Sequence, residues 1–378
     1  MMKMDCLIVG AGQAGLSLAA ILAAKNINVC ILERDARIGD VWRRRPDNML
    51  LFTSRGMTQL HGFPFPGIED GYPDKNEVAD YLERYAIHHN LNIHTQTEVV
   101  EVKHNKNGYR VKTKDGKVFN APCLVNATGA NQLADVPAFA KQLPVEIQQL
   151  AADKYQEPRQ IKEGSRVAVI GDGASGRQIA KDLAATTNVT LFCSSSRPLL
   201  PNRIMGKDIF WWLSKSGLLF ANYYSLVGKI MRRRNPIPCG DLKNHRLAAF
   251  GVKIANRLVD IQDNKLCDLS GHQYEVDTVI WCLGYKDNTA WLTLPGAADA
   301  NGFVCKSGYA EGGKTPYPGL FIVGRKWLSS RGSELVLGAY KDANRVAKWV
   351  ENYLKEHVYP MDFKMHCDGK GANPREHR

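Results

Sequence analysis

Two glycine-rich turns are the clearest candidates for chemistry in this sequence of 378 residues. In such a turn the first glycine permits a tight bend, the second lets backbone approach a pyrophosphate, and the third lets a helix pack against a strand. Free N–H groups at the start of that helix then attract phosphates. The glycines at these positions are Gly10, Gly12 and Gly15 in the first turn, and Gly171, Gly173 and Gly176, with Ser175 between the last two, in the second. Both turns therefore predict dinucleotide binding.

The two turns differ in the side chain that follows them at a fixed offset. Glu33 lies 23 residues after the first glycine of the first turn, and Ser194 lies at the same offset in the second. A carboxylate there accepts hydrogen bonds from ribose hydroxyls and repels a 2′-phosphate, so the first turn suits FAD or NAD. Hydroxyls and a cation without an acid suit a 2′-phosphate, and the second turn is followed by Ser194, Ser195, Ser196 and Arg197. The second turn therefore predicts NADPH rather than NADH.

Each turn lies between a predicted strand and a predicted helix. The first unit has an apolar strand, a helix and a second strand at 5–9, 16–24 and 28–32, and the second unit has them at 166–170, 178–185 and 188–193. Other predicted elements are a helix at 77–90, hairpin turns at 107–108 and 115–116, strands ending in glycine at 124–129, 279–284 and 320–324, and a last helix near 338–356. The predicted fold class is α/β, with two Rossmann-like dinucleotide-binding domains.

Composition excludes several classes of protein. Hydrophobic residues make up 44% and charged residues 23% of the chain, as in globular proteins of two or three domains. The net charge of +12 favours anionic ligands or surfaces, but it does not establish nucleic-acid binding, and no nucleic-acid partner is expected. The nine cysteines lie at least fifteen residues apart, which argues against zinc knuckles and paired redox cysteines. We expect no metal and a cytoplasmic location.

Several further motifs resemble those of one flavoprotein family. They are Gly39-Asp-Val-Trp42, Phe63-Pro-Phe-Pro66, Tyr72-Pro73, Ala127-Thr-Gly129 and Gly284-Tyr285, and segments 201–208 and 240–241 are similar to a short bacterial branch. From about residue 4 to 350, the chain thus resembles the class B flavoprotein monooxygenases, which include flavin-containing and Baeyer–Villiger monooxygenases.

The resemblance implies which cofactor each turn holds. It implies a discontinuous FAD domain at 1–160 and 285–360, an inserted NADPH domain at 161–284, and a polar, basic tail at 361–378. The FAD-binding residues that it implies are Gly10, Gly12, Gly15, Glu33, Arg34, Val41, Trp42, Ala127, Thr128, Gly129, Gly324 and Leu337. The NADPH-binding residues are Gly171, Gly173, Ser175, Gly176, Ser194, Ser195, Ser196, Arg197 and Gly284.

The resemblance also implies a reaction. In that family NADPH reduces FAD, dioxygen adds to the reduced flavin, and the flavin hydroperoxide gives one oxygen atom to a nitrogen or sulfur nucleophile or, as its peroxy anion, attacks a ketone. The partners would be a small organic substrate and dioxygen. Since the cofactors carry this chemistry, no catalytic triad or metal is required.

Departures from the family pattern keep an alternative open. Of the family fingerprint Phe-x-Gly-x-x-x-His-x-x-x-Tyr/Phe only the final aromatic, Tyr155, is present, because Val145, Ile147 and Ala151 occupy the other positions. Asp40 replaces the second glycine of Gly-Gly-x-Trp. Phe52 stands where many relatives have Asn or His, and Phe52 and Tyr72 are the candidates for the catalytic flavin edge. These losses favour somewhat an NADPH oxidase or reductase that passes electrons to oxygen, a quinone or a redox partner.

The segment 208–234 combines apolar side chains with a run of three arginines at 232–234. It is compatible with a lid over the substrate channel, with an interfacial membrane contact, or with a buried domain or homodimer contact. The sequence favours the buried contact over the membrane contact.

Overall fold

The computed structural model describes residues 4–194 and 197–359. In these ranges the strands are β1 (Cys6–Val9), β2 (Val29–Leu32), β3 (Ile93–His94), β4 (Val99–Asn105), β5 (Gly108–Thr113), β6 (Val118–Ala121), β7 (Cys123–Asn126), β8 (Leu133–Ala134), β9 (Gln148–Ala151), β10 (Arg166–Ile170), β11 (Asn188–Phe192), β12 (Arg203–Ile204), β13 (Lys207–Asp208), β14 (Lys253–Ala255), β15 (Leu258–Gln262), β16 (Lys265–Asp268), β17 (Gln273–Tyr274), β18 (Thr278–Trp281), β19 (Tyr285–Lys286), β20 (Ala298–Asp299), β21 (Gly302–Phe303) and β22 (Leu320–Ile322).

The α-helices of the same ranges are α1 (Gln13–Ala23), α2 (Asp40–Arg43), α3 (Arg55–Thr58), α4 (Lys75–His88), α5 (Ala174–Leu183), α6 (Ile209–Lys215), α7 (Leu226–Arg234), α8 (Asn244–Ala249) and α9 (Val336–His357). Short 3-10 helices cover Ala138–Gln142, Pro158–Gln160, Leu218–Phe220, Gly240–Leu242 and Arg331–Glu334.

The first sheet is parallel, with strand order β22-β7-β1-β2-β3. Its central strand β1 is apolar and buried throughout, as expected of a strand that is covered on both faces. Helices α1 and α9 pack together on one face through a core that includes Leu16, Leu22, Val346 and Val350. This arrangement places the first glycine turn, which joins β1 to α1, at the carboxyl edge of the sheet.

The second sheet repeats the plan, with strand order β14-β11-β10-β18-β9 and parallel pairing. Strand β10 has the predicted bounds, but α5 begins at Ala174, four residues before the predicted start. It does so because the glycine turn itself forms the first turn of the helix. The polar strand β9 pairs with β18 at the edge of this sheet, whereas the sequence-based division assigned these residues to the first domain. The domain boundary at residue 160 stays a prediction.

The two sheets are joined by polar contacts and by a small apolar cluster. Asn48 donates a hydrogen bond of 2.8 Å to Asp182 on α5. The backbone N–H of Ser54 donates to the buried carboxylate of Asp208, which also caps α6. Buried side chains from α3, α6 and the 3-10 helix at 218–220 form the cluster, namely Met57, Ile209, Phe210 and Leu219. The inner side of the segment 208–220 is therefore packed against the protein.

Candidate dinucleotide-binding sites

The first glycine turn has the geometry of a phosphate cradle. Gly10 has φ +108°, which other residues rarely adopt, and a Cβ there would lie 2.7 Å from the carbonyl oxygen of Ala127. A Cβ on Gly15 would collide with the carbonyl oxygen of Gly10. Gly12, the N-cap of α1, is different, because a Cβ there would meet no protein atom within 4 Å. The open space at Gly12, beside the free N–H groups of the helix, fits a pyrophosphate.

The second glycine turn repeats this geometry residue by residue. Gly171 also has φ +108°, and its Cβ would lie 2.5 Å from the carbonyl oxygen of Cys282. A Cβ on Gly176 would collide with the carbonyl oxygen of Gly171, whereas a Cβ on Gly173 would meet no protein atom within 4 Å. The protein therefore fits a second dinucleotide at the start of α5.

A cavity of about 260 Å³ lies against the first turn. Most of the side chains and glycines predicted to bind FAD line it, and these are Gly10, Gly12, Glu33, Arg34, Val41, Trp42, Ala127, Thr128, Gly129 and Gly324. Gly15 lies beneath the turn, against Gly10. Gly324 belongs here for a steric reason, because a Cβ on it would lie 2.8 Å from the Cβ of Ala14 on α1.

Glu33 is held at the end of β2 by two backbone donors. Its carboxylate accepts a hydrogen bond of 2.7 Å from the N–H of Ala11 and one of 2.9 Å from the N–H of Asp35. Burial raises the pKa of Glu33, although these two hydrogen bonds oppose the shift. The carboxylate thus lies beside the glycine turn, where a ribose acceptor is expected.

The Gly-x-x-Trp segment at the start of α2 lines one side of the first cavity. Gly39 has φ +88°, and a Cβ there would lie 2.7 Å from Ala79 on α4. Asp40, which departs from the family pattern, forms an ion pair of 3.0 Å with Arg43 and accepts a hydrogen bond from the N–H of Arg37. The buried indole N–H of Trp42 has no partner in the protein. It is therefore a donor available to a group bound in the cavity.

Cations surround the side of this cavity that faces the end of β22. Lys326 and Arg45 line it. Partial desolvation lowers the pKa of Lys326, and the neighbouring Arg331, Arg45, Arg325 and Arg197 lower it further. Lys326 is accessible through the open cavity even though protein atoms surround it on its other sides. The positive potential of this region favours an anionic ligand.

A buried ion pair organises the second site. Arg177 donates hydrogen bonds to the backbone oxygens of Asp172 and Leu242 and lies 3.3 Å from the Asp172 carboxylate. Asp172 in turn accepts a weak hydrogen bond of 3.4 Å from the N–H of Ser194. This chain of contacts connects the glycine turn to the loop after β11, which is predicted to bind the 2′-phosphate.

The other residues predicted for NADPH follow strands β10, β11 and β18, at the carboxyl edge of the second sheet. Ser175 and Ser194 are exposed, and Gly284 follows β18 with φ +97°. The Nε of Arg197 is buried without a partner, so this guanidinium retains a free donor. Ser195 and Ser196 lie outside the described residues. The described residues of the second turn line neither the first cavity nor the second one described next.

Besides Gly15, three of the residues predicted to bind or face FAD do not line the first cavity. Phe52 packs between the core of the second sheet and the apolar cluster around Met57. Tyr72 donates a hydrogen bond of 3.1 Å to the carbonyl of Asn202. Leu337 lines a separate cavity of about 370 Å³, together with His61 and Tyr340. The roles of Phe52 and Tyr72 at the flavin edge, and of Leu337 in FAD binding, stay predictions.

The surviving aromatic of the fingerprint is part of the core. Tyr155 is fully buried, and its hydroxyl donates a hydrogen bond of 2.6 Å to Asp182 on α5. Val145, at the first position of the motif, is exposed. Tyr155 therefore packs beneath α5 in the core and does not line the first cavity.

Sequence reasoning missed the cavity residues that lie in loops. Arg45, Gln132, Asn288 and Lys326 line the cavity, and none of them belongs to a glycine motif. Gln132 donates to Thr128 and Gly129 and accepts from the N–H of Asn288, so it closes the loop after β7. One signal was available for Lys326, because it lies two residues after the glycine that ends a predicted strand.

The chain is similar in sequence to several oxidoreductases. The family described as pyridine nucleotide-disulphide oxidoreductase matches residues 7–200, which is more than half of the chain. The Geobacillus kaustophilus protein named "uncharacterized oxidoreductase CzcO-like" is 36% identical over 350 residues, which are 92% of this chain and 99% of the relative. The "probable indole-3-pyruvate monooxygenase YUCCA9" of Arabidopsis thaliana is 28% identical over 395 residues, with 92% of this chain and 89% of the relative covered.

A solved structure has the same fold. The flavin-containing monooxygenase from Stenotrophomonas maltophilia matches with a TM-score of 0.78 and 23% identity, covering 93% of this chain and 99% of that one. This likeness confirms the predicted α/β fold with two Rossmann-like domains. It also agrees, at the level of the fold, with the resemblance inferred from the motifs.

Proposed function

We propose that the chain, which belongs to the pyridine nucleotide-disulphide oxidoreductase family, is an FAD-dependent, NADPH-consuming monooxygenase. It is an oxidoreductase, and FAD with a pyridine nucleotide is the cofactor pair that its family and fold imply. The choice of NADPH over NADH and the transfer of oxygen to an organic substrate are the parts that we propose. The division into FAD domain, NADPH domain and tail is part of the same proposal.

The duplicated turn geometry carries the proposal. Two turns at the carboxyl edges of two parallel sheets have the same φ at the first glycine, the same collision at the third and the same open space at the second. A monooxygenase of this kind needs two dinucleotides, one to be reduced and one to supply hydride. A single cradle would leave the second nucleotide without a site.

The residues of the chain have separate tasks in this proposal. Glu33 accepts hydrogen bonds from the ribose of FAD, and the indole N–H of Trp42 and the cations Arg45 and Lys326 face the bound dinucleotide. Arg197, with its unpartnered Nε, binds the 2′-phosphate that distinguishes NADPH from NADH. Bound NADPH would supply hydride and bound FAD would carry the reaction with oxygen, while the protein supplies position and the exclusion of water.

The substrate that we propose is a small organic molecule with a soft nitrogen or sulfur nucleophile, or a ketone. The Arabidopsis relative carries a name that specifies indole-3-pyruvate, a carbonyl compound with an aromatic ring. Aromatic 2-oxo acids therefore belong in the set of substrates to be tried. We also propose a cytoplasmic location, because the eight cysteines within the described ranges are all unpaired.

An NADPH oxidase or reductase is the second candidate. Phe52 favours it, because it packs into apolar clusters and carries no polar group where many class B enzymes have Asn or His. Such an enzyme would pass electrons from NADPH to oxygen, a quinone or a redox partner without oxygenating a substrate.

Oxygen labelling separates the two candidates. The purified holoenzyme would turn over NADPH under ¹⁸O₂ with amines, sulfides, indoles, ketones and aromatic 2-oxo acids in turn, with mass spectrometry of products and a peroxide assay. The monooxygenase predicts a product that contains one labelled oxygen atom for each NADPH consumed. Recovery of all consumed oxygen as hydrogen peroxide with every substrate, together with rapid quinone reduction, would support the second candidate.

A further inference from the structure

The segment 203–234, here called the basic-apolar segment, exposes an unusual number of large apolar side chains. Those exposed among its residues are Ile204, Met205, Trp212, Leu218, Tyr224, Leu226, Val227 and Ile230. Met205 is 89% exposed at the tip of the β12–β13 hairpin, and Leu226 is 74% exposed at the start of α7. Exposed apolar residues concentrated in one segment mark an interaction surface.

Helix α7 directs apolar side chains towards solvent, which is the reverse of an ordinary surface helix. Its inner side carries the buried Gly228, where a Cβ would collide with the carbonyl oxygen of Asn222. Leu226 and Ile230 are four residues apart and both exposed, so they share the outward face. A surface helix normally directs its apolar face towards the core. Here the core side is occupied by a glycine, and the apolar side chains are directed outwards.

The hairpin and α6 add a second exposed group. The indole N–H of Trp212 donates a hydrogen bond of 3.0 Å to the carbonyl of Ile204, which joins these two exposed side chains. The buried side chains of α6, Ile209 and Phe210, already pack in the apolar cluster around Met57. Because the inner face of α6 already packs in this cluster, the outward side chains stay exposed to solvent.

The charge of the segment is strongly positive. Its seven cations are Arg203, Lys207, Lys215, Lys229, Arg232, Arg233 and Arg234. Its one acid, Asp208, is buried and caps α6. Arg233 and Arg234 are exposed and follow Leu226 by seven and eight residues, so they flank the outward apolar face of α7.

We propose that the basic-apolar segment docks the protein onto an anionic lipid surface. Apolar and aromatic side chains would enter the headgroup region, and the flanking Lys and Arg side chains would contact lipid phosphates. A second copy of the chain is a poorer occupant, because it would bring the same cations against one another. In the described part of the chain no helix is long and apolar enough to cross a membrane, so the contact lies in the interface plane.

Vesicle flotation tests the proposal with the flavin-loaded, full-length protein. The probes are vesicles of phosphatidylcholine alone and vesicles in which phosphatidylglycerol is added. We expect flotation with the second and little with the first, and release by added salt because surface charge is screened. Arg233→Gln with Arg234→Gln should lower the partition coefficient about fivefold for each cation, or about 25-fold together.

Apolar substitutions provide the matched comparison. Leu226→Glu with Ile230→Glu should abolish flotation on the mixed vesicles. Ile87→Glu with Val145→Glu makes the same changes in charge at positions that are 73% and 93% exposed on other parts of the surface, and it should leave flotation unchanged. Flavin absorbance and the melting temperature show that each variant is folded.

Two results would overturn the proposal. One is equal recovery of the wild-type protein with both kinds of vesicle. The other is a dimer in analytical ultracentrifugation that Leu226→Glu with Ile230→Glu dissociates without any effect on vesicle binding, since the segment would then be a contact between copies. Neither readout uses catalytic turnover, so this inference stands or fails independently of the proposed monooxygenase activity.

Discussion

Gly173→Ala, which adds one methyl group to the second glycine of the second turn, should weaken nucleotide binding without destabilising the folded protein. Gly173 has φ −67° and ψ −178°, which alanine adopts without strain, and its Cβ would meet no protein atom within 4 Å. Alanine is a poorer N-cap than glycine, typically by about 0.7 kcal/mol. The loss of glycine flexibility in the unfolded chain offsets this by about 0.4–1 kcal/mol. The Gly173→Ala protein should therefore melt close to the wild type.

Its affinity for NADPH should fall, because the methyl group occupies the space that a pyrophosphate needs. A hydrogen bond to a charged group is worth about 1.5–3 kcal/mol, so losing one weakens binding by about tenfold to 150-fold. Calorimetric titration of the flavin-loaded protein with NADP⁺ measures this change, and the visible spectrum measures retained FAD. Gly12→Ala should instead reduce FAD content, since it makes the same change in the first turn.

Gly176→Ala is the contrasting variant. Its Cβ would collide with the carbonyl oxygen of Gly171, so we expect a loss of stability of about 1–3 kcal/mol, as in other overpacked sites. If Gly173→Ala retained FAD, melted normally and bound NADP⁺ with an unchanged Kd, the second turn would not be the NADPH site.

Three further substitutions test the side chains around the two sites. Arg197→Ala should raise the KM for NADPH by about tenfold to a hundredfold or more and leave FAD content intact; an unchanged KM would remove Arg197 from the site. Glu33→Gln should weaken FAD binding by about tenfold, measured as flavin retained after gel filtration; full retention would contradict a ribose contact. Desolvation and nearby arginines lower the pKa of Lys326 from its ordinary value of 10.5. At a pH below the lowered pKa the charged side chain therefore destabilises the folded protein, and this penalty disappears as the pH rises from the lowered pKa to 10.5. Lys326→Met should therefore raise the melting temperature of the flavin-free protein at neutral pH, with a smaller gain at alkaline pH; an equal gain at both pH values would refute this.

Local patterns were sufficient to predict the two glycine turns. The bend at Gly10 and the contact of Gly15 with it depend on residues within one turn, and the apolar run of β1 marks the strand before it. The final helix was predicted to begin near 338 and begins at Val336, because its long apolar face has the helical period.

Features set by distant parts of the chain could not be predicted in the same way. Strand β9 has two glutamines and is formed by its pairing with β18, about 130 residues away. Lys326 and Arg45 meet at the cavity only because separate loops converge there. The inward position of Gly228 on α7 depends on the carbonyl of Asn222, which no period in the sequence indicates.

In the proposed function, the protein directs electrons from NADPH through FAD to controlled chemistry with dioxygen. Stopped-flow absorbance tests it most directly, after the NADPH-reduced holoenzyme is mixed with oxygenated buffer without substrate. We expect that an absorbing species, distinct from both reduced and oxidised flavin, forms and persists for a time before oxidised flavin returns. Immediate and direct return to oxidised flavin, with stoichiometric release of hydrogen peroxide, would refute controlled chemistry with dioxygen.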